Sequence, residues 1–176
     1  RSLFLYGPPG NGKTTIGEAM GRLLGGEIFI PYAIEVDGHV IKVYDPQSHR
    51  MVKEPSFSTV PGQKRADGRW VCCRRPVVMA GGELTLASLD LVYNEHSKYY
   101  EAPFQMKANG GLFLLDDFGR QQVRPRDLLN RWIVPLEKRL DYLTLHTGKK
   151  IEVPFDVLII FCTNIAPKEL VDEAFL

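Results

Sequence analysis

Phosphate-binding chemistry is indicated by one glycine-rich stretch near the start of the chain. It fits the pattern of a glycine, four residues, a second glycine, a lysine and a threonine or serine. The stretch consists of Gly7, Pro8, Pro9, Gly10, Asn11, Gly12, Lys13 and Thr14, followed by Thr15. Glycines let the backbone turn tightly, so that consecutive N–H groups point into one concavity that suits phosphate. Lys13 is then placed to reach the β- and γ-phosphates, and the Thr14 hydroxyl to bind Mg²⁺.

The flanking elements are those that a phosphate-binding turn requires. Residues 3–6 are a short apolar run that predicts a buried strand, and residues 15–24 carry apolar side chains at helical spacing. The apolar positions of the predicted helix are Ile16, Ala19, Met20, Leu23 and Leu24. A helix that begins at this point offers unpaired N–H groups and the positive end of its dipole to phosphate. The context therefore favours a phosphate site over an ordinary strand–helix turn.

Two carboxylates follow a second apolar strand, predicted at residues 112–115. Ligands bind at the carboxyl ends of the strands of a parallel sheet, so we expect Asp116 to face Mg²⁺ near Thr14. Asp117 is placed to orient or deprotonate an attacking water. Asn164, after the last apolar strand, is predicted to hydrogen-bond that water or the γ-phosphate. The alternatives are an acidic helix cap for the two aspartates and a plain turn residue for Asn164.

The other elements alternate between apolar strands and amphipathic helices. We expect two hairpins, one over residues 28–44 around Asp37 and Gly38 and one at 142–153. Further strands are predicted at 70–73, 76–80 and 157–161, and helices at 84–92, 126–140 and 167–176. Residues 45–69 are predicted to form a long loop, and residues 94–110 to be irregular. Pro135 is expected to kink or split its helix. The alternation favours an α/β fold: a three-layer sandwich with a central, mostly parallel sheet covered on both faces.

Composition excludes several classes of protein. The 176 residues carry 22 basic and 21 acidic side chains, a net charge of +1, which gives no bulk electrostatic reason to bind nucleic acid or membrane. No apolar run approaches the roughly 20 residues of a membrane span. The three cysteines, two of them adjacent, argue against a disulfide framework or a zinc site and favour a reducing, cytoplasmic setting.

The order of these features resembles AAA+ ATPases. Residues 108–117 are similar to the Walker B entry of magnesium chelatases, MoxR ATPases and bacterial enhancer-binding transcription activators, in which a β-hairpin precedes the sensor 1 strand, as residues 142–153 do here. The chain as a whole resembles bacterial predicted ATPases described as chaperone-like or linked to pilus assembly. The resemblance covers most of the chain except an insert at about residues 27–75.

The resemblance implies a role for each site residue. Lys13 and Thr14 would bind phosphate and Mg²⁺, Asp116 would be the Walker B aspartate, and Asn164 would be sensor 1. Asp117 departs from the family, which usually has a glutamate there. By the same resemblance residues 1–176 are a nucleotide-binding core, and the helical lid and the arginine finger are expected beyond it. The arginines of this chain that are candidates for the finger are Arg120, Arg124, Arg126 and Arg131.

Four functions remain open from the sequence. The leading one is Mg²⁺-dependent ATP hydrolysis by a homo-oligomeric ring that remodels a protein partner. The second is a nucleotide-binding switch or scaffold that hydrolyses slowly, because the Asp117 carboxylate is one methylene shorter than that of glutamate. The third is a small-molecule kinase, which the hairpin and Asn164 disfavour. The fourth is nucleic-acid binding through the basic residues Lys64, Arg65, Arg69, Arg74 and Arg75, which a solvated loop explains better.

Overall fold

The computed structural model describes residues 2–53 and 67–166. In chain order the elements are β1 Ser2–Tyr6, α1 Lys13–Leu23, β2 Glu27–Pro31, β3 Ala33–Val36, β4 His39–Lys42, β5 Met51–Lys53, β6 Trp70–Arg74, β7 Val77–Ala80, a 3₁₀ turn Ala87–Leu89, β8 Val92–Asn94, β9 Tyr99–Glu101, α2 Phe104–Lys107, β10 Leu112–Leu115, α3 Pro125–Lys138, β11 Leu140–Thr144, β12 Lys150–Pro154 and β13 Leu158–Thr163. The helix predicted at 167–176 lies outside the described residues.

A four-stranded sheet forms the centre of the fold, with the strand order β1-β13-β10-β7. Every neighbouring pair in it is parallel, so all four strands end at the same edge. The glycine-rich turn follows β1, Asn164 follows β13, and Asp116 follows β10. Three of the four strand ends therefore bring predicted site residues to one edge, and the predicted parallel sheet is confirmed.

Helices cover both faces of this sheet. On one face Phe113 and Phe161 share a buried cluster with Trp132 of α3. On the other face Leu114 and Ile160 form a cluster against which Met20 of α1 packs. The predicted three-layer α/β sandwich is therefore confirmed. No helix in the described part of the chain is both long and apolar enough to cross a membrane.

Helix α1 is buried at its glycines, and of the apolar stripe that its sequence predicts Met20 packs against the sheet. Its buried residues are Gly17 and Gly21, whereas Ile16 is 49% exposed and Leu23 is 83% exposed. A Cβ atom on Gly17 would lie 2.5 Å from Leu114 Cδ1. The backbone of α1 thus lies directly on the sheet, which is why the glycine face is the inner one.

The segment after α1 forms β-structure of its own, beside the central sheet. One sheet has the order β2-β6-β5, and another has the order β3-β4-β9-β8. The predicted hairpin is confirmed for β3 and β4, where Asp37 and Gly38 have φ angles of 52° and 77° and make the tight connection. The single run expected before it is divided, because β2 pairs with β6 while β3 pairs with β4.

The hairpin of β11 and β12 is also confirmed, in antiparallel register from Leu140–Pro154 to Thr144–Lys150. Its apolar side chains pack against residues of other strands. Leu143 and Ile151 share one buried cluster with Ile41 and Val71 of the earlier sheets. The hairpin and the insert therefore have a common core.

Several predictions of local structure are wrong. In place of a helix at 84–92 there is a 3₁₀ turn and β8, because Thr85 and Ser88 hydrogen-bond each other's backbone N–H groups at 3.1 and 3.3 Å and compete with helical bonds. The stretch 94–110 contains β9 and α2, and the loop at 45–69 contains β5. Helix α3 runs through Pro135 without being split, and its cap residue Arg139 donates its N–H to the Pro135 carbonyl oxygen at 3.1 Å.

Candidate functional site

The glycine-rich turn ends in a helix start with free donors. Gly10 and Gly12 have φ angles of 82° and 69°, which side chains with a Cβ atom rarely adopt. Gly12 caps α1, and its carbonyl oxygen accepts from the Ile16 N–H at 2.9 Å. No side chain caps this helix, and its first turn contains no acidic residue. The first N–H groups and the positive dipole end are thus available to an anion.

Lys13 lies folded over the same turn. Its Nζ donates hydrogen bonds to the carbonyl oxygens of Gly7 and Pro8, both at 2.9 Å. Pro8, Pro9, Gly10 and Asn11 are exposed, so the turn is open to solvent on its outer side. An ammonium group has three donors, so one N–H of Lys13 remains for a ligand. The positive charge therefore sits where the sequence predicts an anion.

Thr14 and Asp116 lie together although 102 positions separate them in the chain. The Thr14 Oγ1 donates to Asp116 Oδ1 at 2.9 Å and is 3.0 Å from Oδ2. Mg²⁺ binds oxygen ligands at about 2.0–2.1 Å in octahedral geometry, so two adjacent ligands are about 2.9 Å apart. The hydroxyl–carboxylate pair matches that spacing, and oxygens of these types are the ones that Mg²⁺ prefers. The pair therefore fits the predicted magnesium site.

Asp117 occupies a tight turn directly after the strand. Its φ angle is 49°, a conformation that is uncommon for residues other than glycine and concentrates at functional sites. The Asp117 side chain is exposed, and its N–H donates to Asp116 Oδ1 at 3.1 Å. The turn is closed by the Arg120 N–H, which donates to the Asp117 carbonyl oxygen at 2.9 Å.

Three residues that the sequence reasoning did not assign hold this turn in place. Gln121 accepts from the Gly119 N–H and donates to the Asp116 carbonyl oxygen, both at 2.8 Å. The buried Thr163 hydroxyl donates to the Phe118 carbonyl oxygen at 2.7 Å, and the Phe118 ring packs edge-on against Phe161 of β13 at 4.8 Å. Gln121 has no signal in the sequence, whereas Thr163 could have been noticed as the polar end of an apolar strand.

Asn164 follows β13, between the turn after β1 and the turn after β10. Its Oδ1 is buried and has no hydrogen-bond partner among the described residues. A buried amide oxygen without a partner is costly, and a bound ligand or water would satisfy it. The preceding residue, Thr163, accepts from the Gly7 N–H at 3.4 Å, which ties the end of β13 to the glycine-rich turn.

Three charged side chains of the site act electrostatically on Cys162, near the end of β13. Burial is the main cause that raises the pKa of this thiol to about 11; the Asp116 and Asp117 carboxylates contribute to the increase, and the Lys13 ammonium opposes it. The thiol is therefore protonated at neutral pH. The residues that could hold an ATP phosphate and Mg²⁺ thus surround one strand end. Among residues 2–53 and 67–166 no group of three or more His, Cys, Asp or Glu side chains forms a separate metal site.

Three of the four arginines that are finger candidates already have interaction partners. Arg131 binds the buried carboxylate of Asp141 at 2.6 Å, and Arg124 pairs with Asp127 at 2.8 Å. Arg126 also has an interaction partner, and Arg120 is exposed on the turn after Asp117. Of these arginines only Arg120 is near the site in the chain.

The predicted basic run is only partly described. Lys64 and Arg65 lie outside the described residues. Arg69 pairs with Asp67 at 2.7 Å, and Arg75 donates to the Gly110 carbonyl oxygen at 2.6 Å. The ion pair with Asp67 neutralises the charge of Arg69, whereas the bond to Gly110 occupies one guanidinium nitrogen of Arg75.

No protein-family model and no curated protein sequence matches the chain. Several solved structures do match the chain. The complex between the magnesium chelatase subunits BchI and BchD, based on a single-particle cryo-EM reconstruction at 7.5 Å, aligns with 97% of this chain at a TM-score of 0.56 and 19% identity. NtrX from Brucella abortus aligns with 56% of this chain and 22% of its own, at a TM-score of 0.43 and 19% identity.

The alignment to the magnesium chelatase complex covers 49% of the matched chain, so this protein spans about half of its length. It nevertheless includes nearly all of the present chain. The chain therefore has an α/β fold built on a central parallel sheet, similar to the fold of the matched magnesium chelatase structure.

Proposed function

We propose that this chain is the nucleotide-binding core of an AAA+ ATPase that binds ATP with Mg²⁺ and hydrolyses its β–γ phosphoanhydride bond. The observation that carries the proposal is the contact between Thr14 Oγ1 and Asp116 at 2.9 Å, beside the uncapped start of α1. It brings a hydroxyl, a carboxylate and a helix N-terminus to one place, and these groups suit a metal ion and a phosphate chain.

In this proposal the turn of residues 7–15 binds the phosphates. Its backbone N–H groups donate to them, and the Lys13 ammonium exchanges the Gly7 and Pro8 carbonyl oxygens for the β- and γ-phosphate oxygens. Thr14 and Asp116 hold Mg²⁺, which neutralises charge on the phosphates. Positioning and charge neutralisation are the main needs of phosphoryl transfer, and both come from fixed groups of the fold.

Asp117 and Asn164 act on the water in the same proposal. The exposed carboxylate of Asp117, held in its turn by Gln121 and Thr163, accepts a proton from the attacking water or orients it. The amide of Asn164 hydrogen-bonds that water or the γ-phosphate, which would satisfy its buried oxygen. Asn164 lies between the turn that carries Lys13 and the turn that carries Asp117, because β13 lies between β1 and β10.

The wider organisation is part of the proposal. Residues 1–176 would be the nucleotide-binding core with an insert at about 27–75, which is supported by the separate sheets that β2–β6 build. The core would work in a ring of copies, where a neighbouring subunit supplies an arginine, and would remodel a protein partner. The matched magnesium chelatase structure, which this chain resembles, is a complex between subunits.

A second candidate function is a nucleotide switch that hydrolyses slowly. It is favoured by Asp117, whose carboxylate is shorter than a glutamate and whose backbone has a φ angle of 49°. The switch would bind ATP and Mg²⁺ through the same residues, but the water would be held less well.

Phosphate release by the full-length protein with ATP and Mg²⁺ separates the two functions. For the enzyme we expect turnover that falls at least about tenfold in Asp117→Asn, since general base catalysis contributes about 10²–10⁴ in rate. Asp156→Asn is the matched control, because Asp156 is exposed and lies after β12, at the opposite end of β13. Turnover that is very slow in the parent and unchanged in Asp117→Asn supports the switch.

A further inference from the structure

A second cleft, of ≈ 680 Å³, lies away from the glycine-rich turn. It is bounded by the C-terminal end of α1, the Gly25–Gly26 turn, the start of β7, and parts of the insert around β5 and β6. Four arginines line it, namely Arg22, Arg50, Arg74 and Arg75. Glu27 is the one acidic residue among the described residues of its lining. The cleft is therefore strongly basic although the whole chain has a charge of +1.

The guanidinium groups of this cleft have N–H donors that are available to a ligand. Arg50 and Arg74 are exposed, and in the described part of the chain neither side chain makes a hydrogen bond or an ion pair. Arg75 uses one nitrogen on the Gly110 carbonyl oxygen, and Arg22 is 3.9 Å from Glu18. Each guanidinium has five N–H donors in a planar fork that matches a carboxylate, so most of them remain available.

The walls between the arginines combine apolar side chains with the polar residues Gln47, Ser48 and His49. Pro46, Val52, Pro76 and Val77 contribute to the lining, and none of the described lining residues is Phe, Tyr or Trp. Single-stranded nucleic acid is bound by stacking its bases on accessible aromatic side chains, and the one aromatic ring in the described lining, that of His49, is only 2% exposed. Carboxylates on short aliphatic stems suit arginines set around proline and valine. The lining therefore favours an acidic peptide over nucleic acid.

We propose that this cleft binds an acidic peptide segment of a partner protein, whose carboxylates pair with Arg50 and Arg74. The site is separate from the nucleotide site, because the two lie at opposite ends of α1, an 11-residue helix that is about 16 Å long. The proposal does not depend on ATP hydrolysis. A partner held there would contact both the core and the insert.

The test is fluorescence anisotropy of a labelled hexaglutamate peptide with the full-length protein at low and physiological salt. The parent binds the peptide, and added salt weakens binding because the contact is ionic. The variant Arg50→Gln/Arg74→Gln binds roughly tenfold more weakly. The control Arg124→Gln/Lys150→Gln removes the same charge from exposed positions outside the cleft and binds like the parent. Saturating ATP leaves the affinity unchanged.

Each opposite result overturns the proposal. It is wrong if the parent does not bind hexaglutamate, or if the two double variants bind it equally well. It is also wrong if ATP displaces the peptide, since the peptide would then occupy the glycine-rich turn. Tighter binding of a labelled oligothymidylate of the same charge would assign the cleft to nucleic acid in its place.

Discussion

The close contact between Gly17 and Leu114 sets the distance between α1 and β10, and therefore between Thr14 and Asp116. In Gly17→Ala the new Cβ atom would lie 2.5 Å from Leu114 Cδ1, about 0.9 Å closer than the 3.4 Å at which ordinary contact begins. Leu114 is fully buried, so its methyl group has little room to move away. We expect the helix to shift outward and carry Thr14 away from Asp116.

Two opposing effects decide how much Gly17→Ala changes the free energy of unfolding. Alanine favours a helix over glycine by about 1 kcal/mol, whereas overpacking a core costs about 1–3 kcal/mol. The free energy of unfolding should therefore fall by about 0–2 kcal/mol, so the variant still folds. Function should suffer more than stability, because a displacement of about 1 Å can reduce a rate about 10²-fold. We expect at least about a tenfold loss of Mg²⁺-dependent ATP turnover.

Urea unfolding and phosphate release, both on the full-length protein, measure the two quantities. Glu18→Ala is the control on the same helix, because the Glu18 side chain is 44% exposed and lies 3.9 Å from Arg22 of the same helix. Adding Leu114→Val to Gly17→Ala removes the clashing methyl group and should restore part of the turnover. If Gly17→Ala is more stable than the parent and equally active, the glycine does not set the spacing and this reasoning is wrong.

Three further predictions follow from the site and the core. Asp116→Asn should lose at least about tenfold in Mg²⁺-dependent ATP affinity, measured by calorimetry with and without the metal; an unchanged Mg²⁺ dependence would make Asp116 only a strand-end residue. Asp117→Glu should keep or raise the rate of phosphate release, because glutamate reaches the water more easily; a loss as large as that of Asp117→Asn would contradict this. Burial lowers the pKa of His49 below its ordinary 6.5, so the folded state excludes a proton that the unfolded state accepts, and stability should fall as the pH drops below about 6.5. Urea unfolding across pH should show a flatter profile for His49→Gln, and an identical profile would refute the assignment.

The parts of the site that follow strand ends could be predicted from the sequence. The pattern around Lys13, the two carboxylates after 112–115 and the polar residue after β13 each depend on local spacing and on one rule of parallel sheets. The structure brings Thr14 to Asp116 as that rule requires. The sandwich itself follows from the alternation of apolar strands and helices.

The bracing of the site could not be predicted in this way. Gln121 holds the turn at Asp117 through two backbone groups, and such bonds depend on where the chain folds back and not on residue spacing. Helix α1 buries Gly17 and Gly21, and a glycine gives no hydrophobic signal. In the stretch 84–92 the apolar spacing favoured a helix, but Thr85 and Ser88 offered the backbone other partners.

Pairing between strands that are far apart in the chain could not be predicted from the sequence either. Strand β4 lies parallel to β9, with Ile41 beside Tyr100, although the two are separated by the whole of β5–β8. The insert therefore looked like a hairpin and a loop in the sequence. In the structure it is tied to the later part of the chain through a shared core.

Calorimetric titration of the full-length protein with ATP and Mg²⁺ tests the central claim most directly. We expect the parent to bind ATP and Lys150→Ala to bind it equally well. We expect Lys13→Ala to lose most of the binding heat while keeping its urea unfolding midpoint. Each substitution removes one positive charge. Of the two lysines, Lys13 is the one that lies over the glycine-rich turn, where it donates hydrogen bonds to the carbonyl oxygens of Gly7 and Pro8. Equal affinity for ATP in the parent and in a folded Lys13→Ala would contradict the assignment of this turn as the nucleotide site.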